Sequence, residues 1–535
     1  MELPAKSAPA RPSTPSEASI RCFDPATGEW LGDVPVASPD EVRARVQRAH
    51  EAQRAWGTSS FGERRRLLKK ILAHLLEHTD ELCQMICRDA GKTLENAVMG
   101  EIWPVCEKLR YTIAHGEAAL RPRRVSPGML LHKTATIEYH PLGVIGVICP
   151  WNFPLQNVLG PTIPALFAGN AVVVKVSEWT SWSAARIQAI FDEALDSIGR
   201  PRDLVQVIAG YGETGAALVS GGVGKIIFTG SMGNGRRVLA ESAKTLTPVI
   251  LELGGKDPMI ICEDAEVEKA AHAALTGVFI ASGQMCLAAE RIYVHEAVYD
   301  RFVARVVEIA GQLRQAPPLT GPEPVDVGAM TMPGQVEIVE RLVQDALAKG
   351  AVARVGGRRG RLASGNFFEP TVLTGVDHTM DIMRDETFGP VMAIVRVSSD
   401  DEAIRLANDT SFGLGSTVFS RSPARARRIA GALVAGSTCI NDFSLAYMAN
   451  ALPFGGVRGS GFGRLNGVEG LRACCNVKSV LGDRVPLHRP IKLYPVQSGD
   501  YERARSTIRM IYGRGLKARV EAALSLVRGA VKRRR

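Results

Sequence analysis

Short apolar segments alternate with longer amphipathic segments from residue 143 onward, and this alternation strongly constrains the fold. The predicted strands are residues 144–148, 171–176, 204–208, 225–228 and 248–253. The predicted helices between them are residues 155–168, 181–198, 214–219 and 235–244. Strands that alternate with helices form a parallel sheet with crossover helices. The sequence therefore predicts an α/β fold.

A second α/β stretch runs from residue 258 to about residue 441. Its predicted helices are residues 266–281, 298–313 and 335–349, and its predicted strands are residues 392–397 and 416–419. Before the first stretch, the alternating segment HKTATIEYHP (132–141) suits an exposed hairpin arm. A chain of 535 residues is too long for one core, so we expect two or three domains.

The composition is that of a globular protein, with 46% hydrophobic and 22% charged residues. No apolar run approaches the roughly 18 residues that a membrane-spanning helix needs. Residues 1–19 are rich in Pro, Ser and Ala, which is typical of a disordered leader. The ten cysteines are scattered without paired Cys-x-x-Cys spacing, which indicates a reducing cytoplasm and no zinc site.

The positive charge belongs to the end of the chain. Residues 488–535 carry 13 Lys and Arg against 3 Asp and Glu, which equals the whole net charge of +10. Apolar positions from 516 to 531 follow one helical stripe, and the chain ends in KRRR. This pattern favours a basic amphipathic helix on an anionic membrane surface. The alternative is a helix packed on its own protein. No nucleic-acid contact is expected, because no aromatic residues are interleaved with the charges.

Three polar residues are candidates for catalysis. Cys286 in SGQMCLAAER follows small and polar residues, so its thiol is expected at the end of a loop. Glu252 in VILELGGKDP ends a buried strand, where burial raises the pKa of a carboxyl and makes it a base near neutral pH. Asn152 in CPWNFP follows the first strand and can donate to a developing oxyanion. Taken singly, each also has a purely structural interpretation.

Together with FTGS (228–231), KVSE (175–178) and ETFGPV (386–391), these segments resemble the aldehyde dehydrogenase superfamily over about residues 20–485. Glu252 and Cys286 are 34 residues apart, as in that family. The resemblance implies the aldehyde dehydrogenase fold, with a Rossmann-like cofactor domain, an α/β catalytic domain and an oligomerisation β-hairpin arm. It also implies a homodimer or homotetramer.

The resemblance places the domain boundaries. The cofactor-binding domain is residues 20–123 and 142–252, to which 453–472 return, and the catalytic domain is 253–452. The oligomerisation arm is 124–141 and 473–487, and the basic amphipathic tail is 488–535.

The same resemblance assigns roles to individual residues. Cys286 becomes the nucleophile, Glu252 the base that activates water, and Asn152 with the Cys286 backbone N–H the oxyanion hole. The cofactor is NAD, and no metal is expected. The residues assigned to the NAD site are Trp151, Lys175, Ser177, Glu178, Gly230, Ser231, Glu386 and Phe388, with Gly235 closing the start of the helix that follows. The family usually has Pro where Val176 stands, which leaves both polar contacts of KVSE in place.

The segment GYGETG (210–215) is a literal G-x-G-x-x-G, but residues 225–240 contain no acidic residue to complete a dinucleotide fingerprint. We therefore interpret it as a strand-to-helix turn.

The predicted activity is NAD-dependent oxidation of an aldehyde through a cysteine thiohemiacetal and thioester. An uncharged aliphatic or aromatic aldehyde is favoured, because the loop SLAYMANA (444–451) contains no Arg or Lys. The sequence leaves open whether Arg458, Lys108 or Arg110 reaches the pocket. Two alternatives remain: a CoA-acylating semialdehyde dehydrogenase, which generally lacks the water-activating Glu, and a catalytically silent scaffold.

Overall fold

The computed structural model describes residues 18–362, 364–443, 445–486 and 494–532. Most of the predicted leader, one residue of the predicted arm and part of the tail lie outside these ranges. The chain divides into two compact units, one of Met1–Arg123 with Ile137–Lys478 and one of Arg124–Thr136 with Ser479–Arg535. The domain boundaries implied by the resemblance stay a prediction.

The helices are α1 (Pro39–Gly57), α2 (Phe61–Glu77), α3 (Thr79–Ala90), α4 (Leu94–Ala97), α5 (Trp103–Leu120), α6 (Gln156–Phe167), α7 (Ala184–Asp196), α8 (Gly212–Val219), α9 (Met232–Ala243), α10 (Val267–Phe279), α11 (Glu296–Ala310), α12 (Pro333–Ala348), α13 (Asp400–Asn408), α14 (Pro423–Ala432), α15 (Leu445–Met448), α16 (Gly467–Ala473), α17 (Asp500–Tyr512) and α18 (Leu516–Lys532).

The strands are β1 (Ser19–Phe23), β2 (Trp30–Pro35), β3 (Arg123–Val125), β4 (Lys133–Pro141), β5 (Val144–Ile148), β6 (Ala171–Lys175), β7 (Val205–Ile208), β8 (Lys225–Gly230), β9 (Val249–Leu253), β10 (Pro258–Ile261), β11 (Arg291–His295), β12 (Val352–Val355), β13 (Thr371–Thr374), β14 (Val391–Val397), β15 (Thr417–Phe419), β16 (Cys439–Ile440), β17 (Gly461–Phe462) and β18 (Cys475–Asp483).

The first α/β stretch forms a six-stranded sheet in the order β17-β9-β8-β5-β6-β7. The pairs β9-β8, β8-β5, β5-β6 and β6-β7 are parallel. Every residue of β5 and β6 is buried, as expected where helices cover both faces of a parallel sheet. The short strand β17, which comes from the Gly-rich loop, pairs antiparallel with β9 at the edge.

The second stretch forms a seven-stranded sheet in the order β12-β13-β14-β11-β10-β15-β16. It is parallel except for the edge pair β12-β13, which is antiparallel. The predicted helix 266–281 ends at Phe279 in α10. A tight turn follows in which Ala281, Ser282 and Gly283 all have positive φ. This turn ends the helix early and leads into the loop that carries Cys286.

In the smaller unit, α17 and α18 pack against each other and share a hydrogen bond between Ser506 Oγ and Ser525 Oγ of 3.1 Å. The predicted tail helix is confirmed by α18, whereas α17 was not predicted. Strands β3, β4 and β18 form a three-stranded sheet in the order β18-β4-β3, and the boundaries between the units fall within these strands. Over the described ranges, no helix is both long and apolar enough to cross a membrane.

Candidate active site

The site lies at the carboxyl edge of the six-stranded sheet, because parallel strands end on the same side and ligands collect there. Asn152 follows β5, Ser177 follows β6, and Ser231 follows β8. A cavity of about 1940 Å³ opens at this edge. The predicted site residues that line it are Trp151, Asn152, Lys175, Ser177, Glu178, Gly230, Ser231, Glu252, Cys286, Glu386 and Phe388.

Cys286 stands on the loop between the turn after α10 and β11. The loop is held by buried hydrogen bonds: Gln284 Nε2 donates to the Ala281 carbonyl at 3.0 Å, and the Thr331 N–H donates to Gln284 Oε1 at 2.9 Å. The backbone of Gly255 approaches the Cys286 carbonyl so closely that a Cβ there would collide with it. Glycine at 255 therefore allows the loop to lie against the end of β9.

Glu252 and Cys286 both line the cavity and lie close enough for the Glu252 carboxylate to act on the Cys286 thiol. Glu252 is buried, and burial raises the pKa of its carboxyl to about 7. Its Oε1 atom has no hydrogen-bond partner in the described parts of the chain. Burial and the nearby carboxylate raise the pKa of the Cys286 thiol well above its ordinary value. The resting pair is thus a neutral thiol beside a carboxyl that gains or loses a proton near neutral pH.

Asn152 is held by hydrogen bonds at both ends of its amide. Its Nδ2 donates to the Gln284 carbonyl at 2.9 Å, and its Oδ1 accepts from Asn157 Nδ2 at 3.2 Å. A side-chain amide nitrogen carries two hydrogens. One of them is used to hold Gln284, two residues before Cys286, and a second remains for a ligand in the cavity.

Glu386 and Phe388 belong to the loop before β14. Burial raises the pKa of the Glu386 carboxyl to about 8, although the carboxylate accepts a hydrogen bond from the Gly255 N–H at 3.0 Å. The Phe388 ring meets the Trp151 ring edge to face, with centroids 5.4 Å apart. These two rings form an aromatic wall of the cavity, and Glu386 adds an oxygen acceptor to it.

The KVSE segment leaves β6 at the same edge. Lys175 is buried, and its ammonium donates to the Val176 carbonyl at 3.0 Å and lies 4.0 Å from Glu178 Oε2. Ser177 Oγ donates to Glu178 Oε2 at 3.2 Å. The segment therefore presents an ammonium and a carboxylate side by side to the cavity, a combination that suits the hydroxyls of a ribose.

Gly235 is the one predicted site residue that does not line the cavity. It lies in α9 behind Ser231, and a Cβ at this position would stand 2.6 Å from Leu253 Cδ2. Its missing side chain lets α9 pack closely on β9, while Ser231 caps the helix by accepting from the Asn234 N–H at 3.3 Å. The GYGETG segment joins β7 to α8, as the strand-to-helix turn predicted, and its Tyr211 and Gly212 line the cavity.

Other residues that the motifs did not identify also line the cavity, among them Arg236, Arg237, Gln156, Tyr447 and Lys108. Of the three basic residues left open by the sequence, only Lys108 lines the cavity. Arg110 is paired with Glu107 on the exposed face of α5, and Arg458 donates to the carbonyls of Asn408 and Thr410. Helical spacing alone does not reveal which turn of α5 faces a cavity.

Comparison with known proteins gives the same family for nearly the whole chain. The model of the aldehyde dehydrogenase family matches residues 12–480. An aldehyde dehydrogenase-like protein of Schizosaccharomyces pombe is 37% identical over 505 residues, which are 92% of this chain and 96% of that protein. The 4,4'-diapolycopene aldehyde oxidase of Methylomonas sp. is 37% identical over 498 residues and covers 92% of each chain.

The solved structures agree in fold. PnpE from Pseudomonas sp. WBC-3 superposes with a TM-score of 0.83 at 32% identity, covering 88% of this chain and 96% of that one, and it has also been solved in complex with NAD. The chain belongs to the aldehyde dehydrogenase family and has its fold, which confirms the resemblance seen in the motifs.

Proposed function

We propose that the protein oxidises an aldehyde to a carboxylic acid with NAD, through a thiohemiacetal and a thioester on Cys286. The observation that carries this proposal is that Cys286 and a buried Glu252 line one cavity together with the Asn152 amide. The NAD complex of PnpE supports NAD as the cofactor. When bound, NAD supplies the hydride acceptor, and the residues suited to hold it are Lys175, Glu178, Trp151, Glu386 and Phe388.

The first steps use the two side chains in turn. Glu252 takes the proton of the Cys286 thiol, and the resulting thiolate forms a C–S bond to the aldehyde carbon. The carbonyl electrons move to oxygen, where the free N–H of Asn152 and the Cys286 N–H stabilise the charge by roughly 3 kcal/mol per donor. The hydrogen of the former aldehyde group then leaves as hydride while the oxyanion re-forms a C=O bond, and the product is a thioester.

The thioester is released by water. After Glu252 has lost its proton to solvent, its carboxylate removes a proton from a water molecule that attacks the thioester carbon. The C–S bond breaks and the acid departs. Because the pKa of Glu252 is about 7, both its charged and its neutral forms are populated at neutral pH, which a group with two proton transfers requires.

The walls beside Cys286 support an uncharged aliphatic or aromatic chain next to the reacting carbon. Met285, Leu287 and Phe454 pack around this position, and Phe153 also lines the cavity. Apolar surface of this kind stabilises hydrocarbon by about 25 cal/mol for each Å² buried.

An aldehyde panel tests the proposal through the absorbance of NADH, with and without CoA. We expect NADH from uncharged aldehydes without CoA, because Glu252 supplies the base for hydrolysis. Cys286→Ser is expected to bind NAD and form no NADH, since a hydroxyl is a much weaker nucleophile. A strict requirement for CoA would establish the acylating alternative, and no NADH from any aldehyde would favour the silent scaffold.

We also propose that the protein is a cytoplasmic homodimer or homotetramer that contacts an anionic membrane through its tail. Leu516, Val520, Leu524 and Val527 of α18 are exposed, whereas Ala522 is buried. The apolar stripe therefore faces outward from the pair α17 and α18, which favours a partner surface over the alternative of packing on its own protein. Basic residues near it suit anionic headgroups.

A further inference from the structure

Lys108 differs from the other buried lysines in the described part of the chain. Lys92 and Lys256 form buried ion pairs with Glu101 and Glu290, and Lys175 donates to a backbone carbonyl. Lys108 is only 6% exposed, yet it has neither a hydrogen bond nor an ion pair with any residue in the described ranges. Burial lowers its pKa to about 8, so the ammonium remains mostly protonated at pH 7.

The Lys108 ammonium and the Gln156 amide converge on the same spot in the cavity. A Cβ at Gly160 would lie 3.6 Å from Lys108 Nζ and 3.6 Å from Gln156 Nε2. Gln156 Nε2 also donates to the Tyr447 hydroxyl. Two nitrogen donors therefore face the open space above Gly160, and no oxygen acceptor of the described residues pairs with Lys108 there.

This pair of donors lies near the reacting thiol. The Tyr447 ring centroid is 5.9 Å from Lys108 Nζ, and the ring packs edge to face on Phe454. Tyr447 packs against the same apolar cluster as Cys286. Burial raises the pKa of its phenol, and its proximity to Cys286 and Glu252 raises that pKa further. Tyr447 thus lies next to both Lys108 and the catalytic pair, so one ligand in the cavity can contact both.

We propose that Lys108, assisted by Gln156, binds an oxygen acceptor at the end of the substrate distal to its aldehyde group. The proposal rests on the oxidation of an aldehyde at Cys286. Water can solvate the ammonium while the cavity is empty, but a substrate displaces that water. A hydrocarbon end would leave the buried ammonium unpaired, whereas an oxygen would satisfy it.

The oxygen can belong to a neutral hydroxyl or carbonyl, or to a carboxylate. The sequence-based prediction of an uncharged aldehyde rests on the absence of Arg and Lys from the loop 444–451. It left the position of Lys108 open. The apolar walls beside Cys286 describe only the part of the substrate next to the reacting carbon. An assay that varies the distal group alone therefore separates the two sources of oxygen.

The experiment compares straight-chain aldehydes of four to six carbons that end in a methyl, a hydroxyl or a carboxylate. At one chain length, we expect kcat/KM for an oxygen-terminated aldehyde to exceed that for its methyl-terminated partner at least about tenfold, the effect of one hydrogen bond to a charged group. Lys108→Met should remove this advantage mainly by raising KM, and should leave methyl-terminated aldehydes unimpaired. Arg110→Met, on the exposed face of the same helix, is the matched control and should change neither.

Calorimetric binding of hexanoate, 6-hydroxyhexanoate and adipate tests the site without turnover. Tighter binding of an oxygen-terminated acid by the wild-type protein, and its loss in Lys108→Met, would support the proposal. Affinities for adipate and 6-hydroxyhexanoate that Lys108→Met leaves unchanged, or equal activity on all distal groups at every chain length, would overturn it. Absence of NADH from every aldehyde would instead refute the proposed oxidation, while the binding comparison would still decide the role of Lys108.

Discussion

At the scale of single residues, the environment of Glu252 connects burial to chemistry. A carboxyl at the end of a buried strand loses hydration, and here its pKa rises to about 7. The same burial keeps the Cys286 thiol protonated at rest, with its pKa raised well above the ordinary value. In the wild-type protein the thiolate forms when a charged Glu252 takes the thiol proton, so activity depends on the charge of Glu252.

Glu252→Gln is expected to slow deacylation more than acylation, by at least about 100-fold. An amide of similar size cannot accept a proton from water, whereas loss of the carboxylate charge lowers the pKa of the Cys286 thiol and lets it lose its proton to solvent. An acyl adduct should then accumulate on Cys286, and intact-protein mass spectrometry after mixing with aldehyde and NAD would detect it. The variant Cys286→Ser, treated identically, is the control that should carry no adduct. Rapid steady-state turnover by Glu252→Gln would contradict the assignment of the base.

The pH dependence follows from the sign of the Glu252 shift. The carboxylate is the active base, so kcat/KM should be low below the pKa of about 7 and rise as pH increases through it. A Glu with an ordinary pKa would already be charged at pH 6, so kcat/KM would not rise between pH 6 and pH 7. Steady-state profiles from pH 5.5 to 8.5 would check this. A flat wild-type profile across pH 6 to 8 would rule out Glu252 as the titrating base.

Glu178 is expected to set the preference for NAD over NADP. Its carboxylate lines the cavity beside Lys175, where it would accept from a ribose 2′-hydroxyl and repel a 2′-phosphate. Because Arg236 and Arg237 also line this cavity, Glu178→Gln should raise the NADP-to-NAD ratio of kcat/KM at least about tenfold. Steady-state titrations with NAD and with NADP would measure this ratio. If the wild-type protein used both cofactors equally, Glu178 would have no such role.

The functional residues within the sequence motifs could be predicted, but their positions relative to one another could not. Cys286, Glu252 and Asn152 stood out because each has an unusual neighbourhood in the sequence. The hydrogen bond between Asn152 and the Gln284 carbonyl joins positions 132 residues apart, which no local pattern contains. Lys108 could be named as a basic residue of a helix, but only the packing of α5 on α6 shows that it faces the cavity.

At the scale of elements, buried parallel strands were predictable because they leave continuous apolar runs. Strands β5 to β9 therefore appeared near their observed bounds. Strand β17 was not predicted, because two residues carry no periodicity. Gly235 was assigned to the cofactor site as the residue that closes the start of a helix, and in the structure it lies where α9 packs on β9. A glycine in a motif does not by itself indicate whether it faces a ligand or another element.

Gly235→Val is expected to displace the start of α9, because a Cβ there would stand 2.6 Å from Leu253 Cδ2. Overpacking of this kind typically costs about 1–3 kcal/mol and should also raise the Kd for NAD, since Ser231 caps the same helix. Gly233→Ala is the matched control, because no atom lies within 4 Å of its added Cβ. Thermal melting and NAD titration would check both. Unchanged melting and affinity in Gly235→Val would show that α9 and β9 have more room than the packing indicates.

At the scale of the whole molecule, charge and apolar surface are unevenly distributed. The net charge of +10 resides in residues 488–535, and the described part of that segment contains α17 and α18. Leu524 is 50% exposed and Val520 47% exposed, whereas the pairing of the two helices buries Ala522 and Ser506. A helical pair that buries small residues and exposes large apolar ones presents a surface suited to the boundary between lipid headgroups and chains.

The tail is therefore expected to bind vesicles that contain an anionic lipid, with electrostatic attraction and apolar burial both contributing. The full chain should sediment with phosphatidylserine-rich vesicles and weakly or not at all with pure phosphatidylcholine, and binding should fall in 0.5 M salt because screening weakens surface charge interactions. The double variant Val520→Ser, Leu524→Ser should reduce binding at low salt while retaining aldehyde oxidation. Leu246→Ser is the matched control, because Leu246 is 87% exposed but lies in the larger unit. Binding that the double variant leaves unchanged would exclude the apolar stripe of α18 as the contact, and equal binding to both kinds of vesicle would exclude recognition of anionic headgroups.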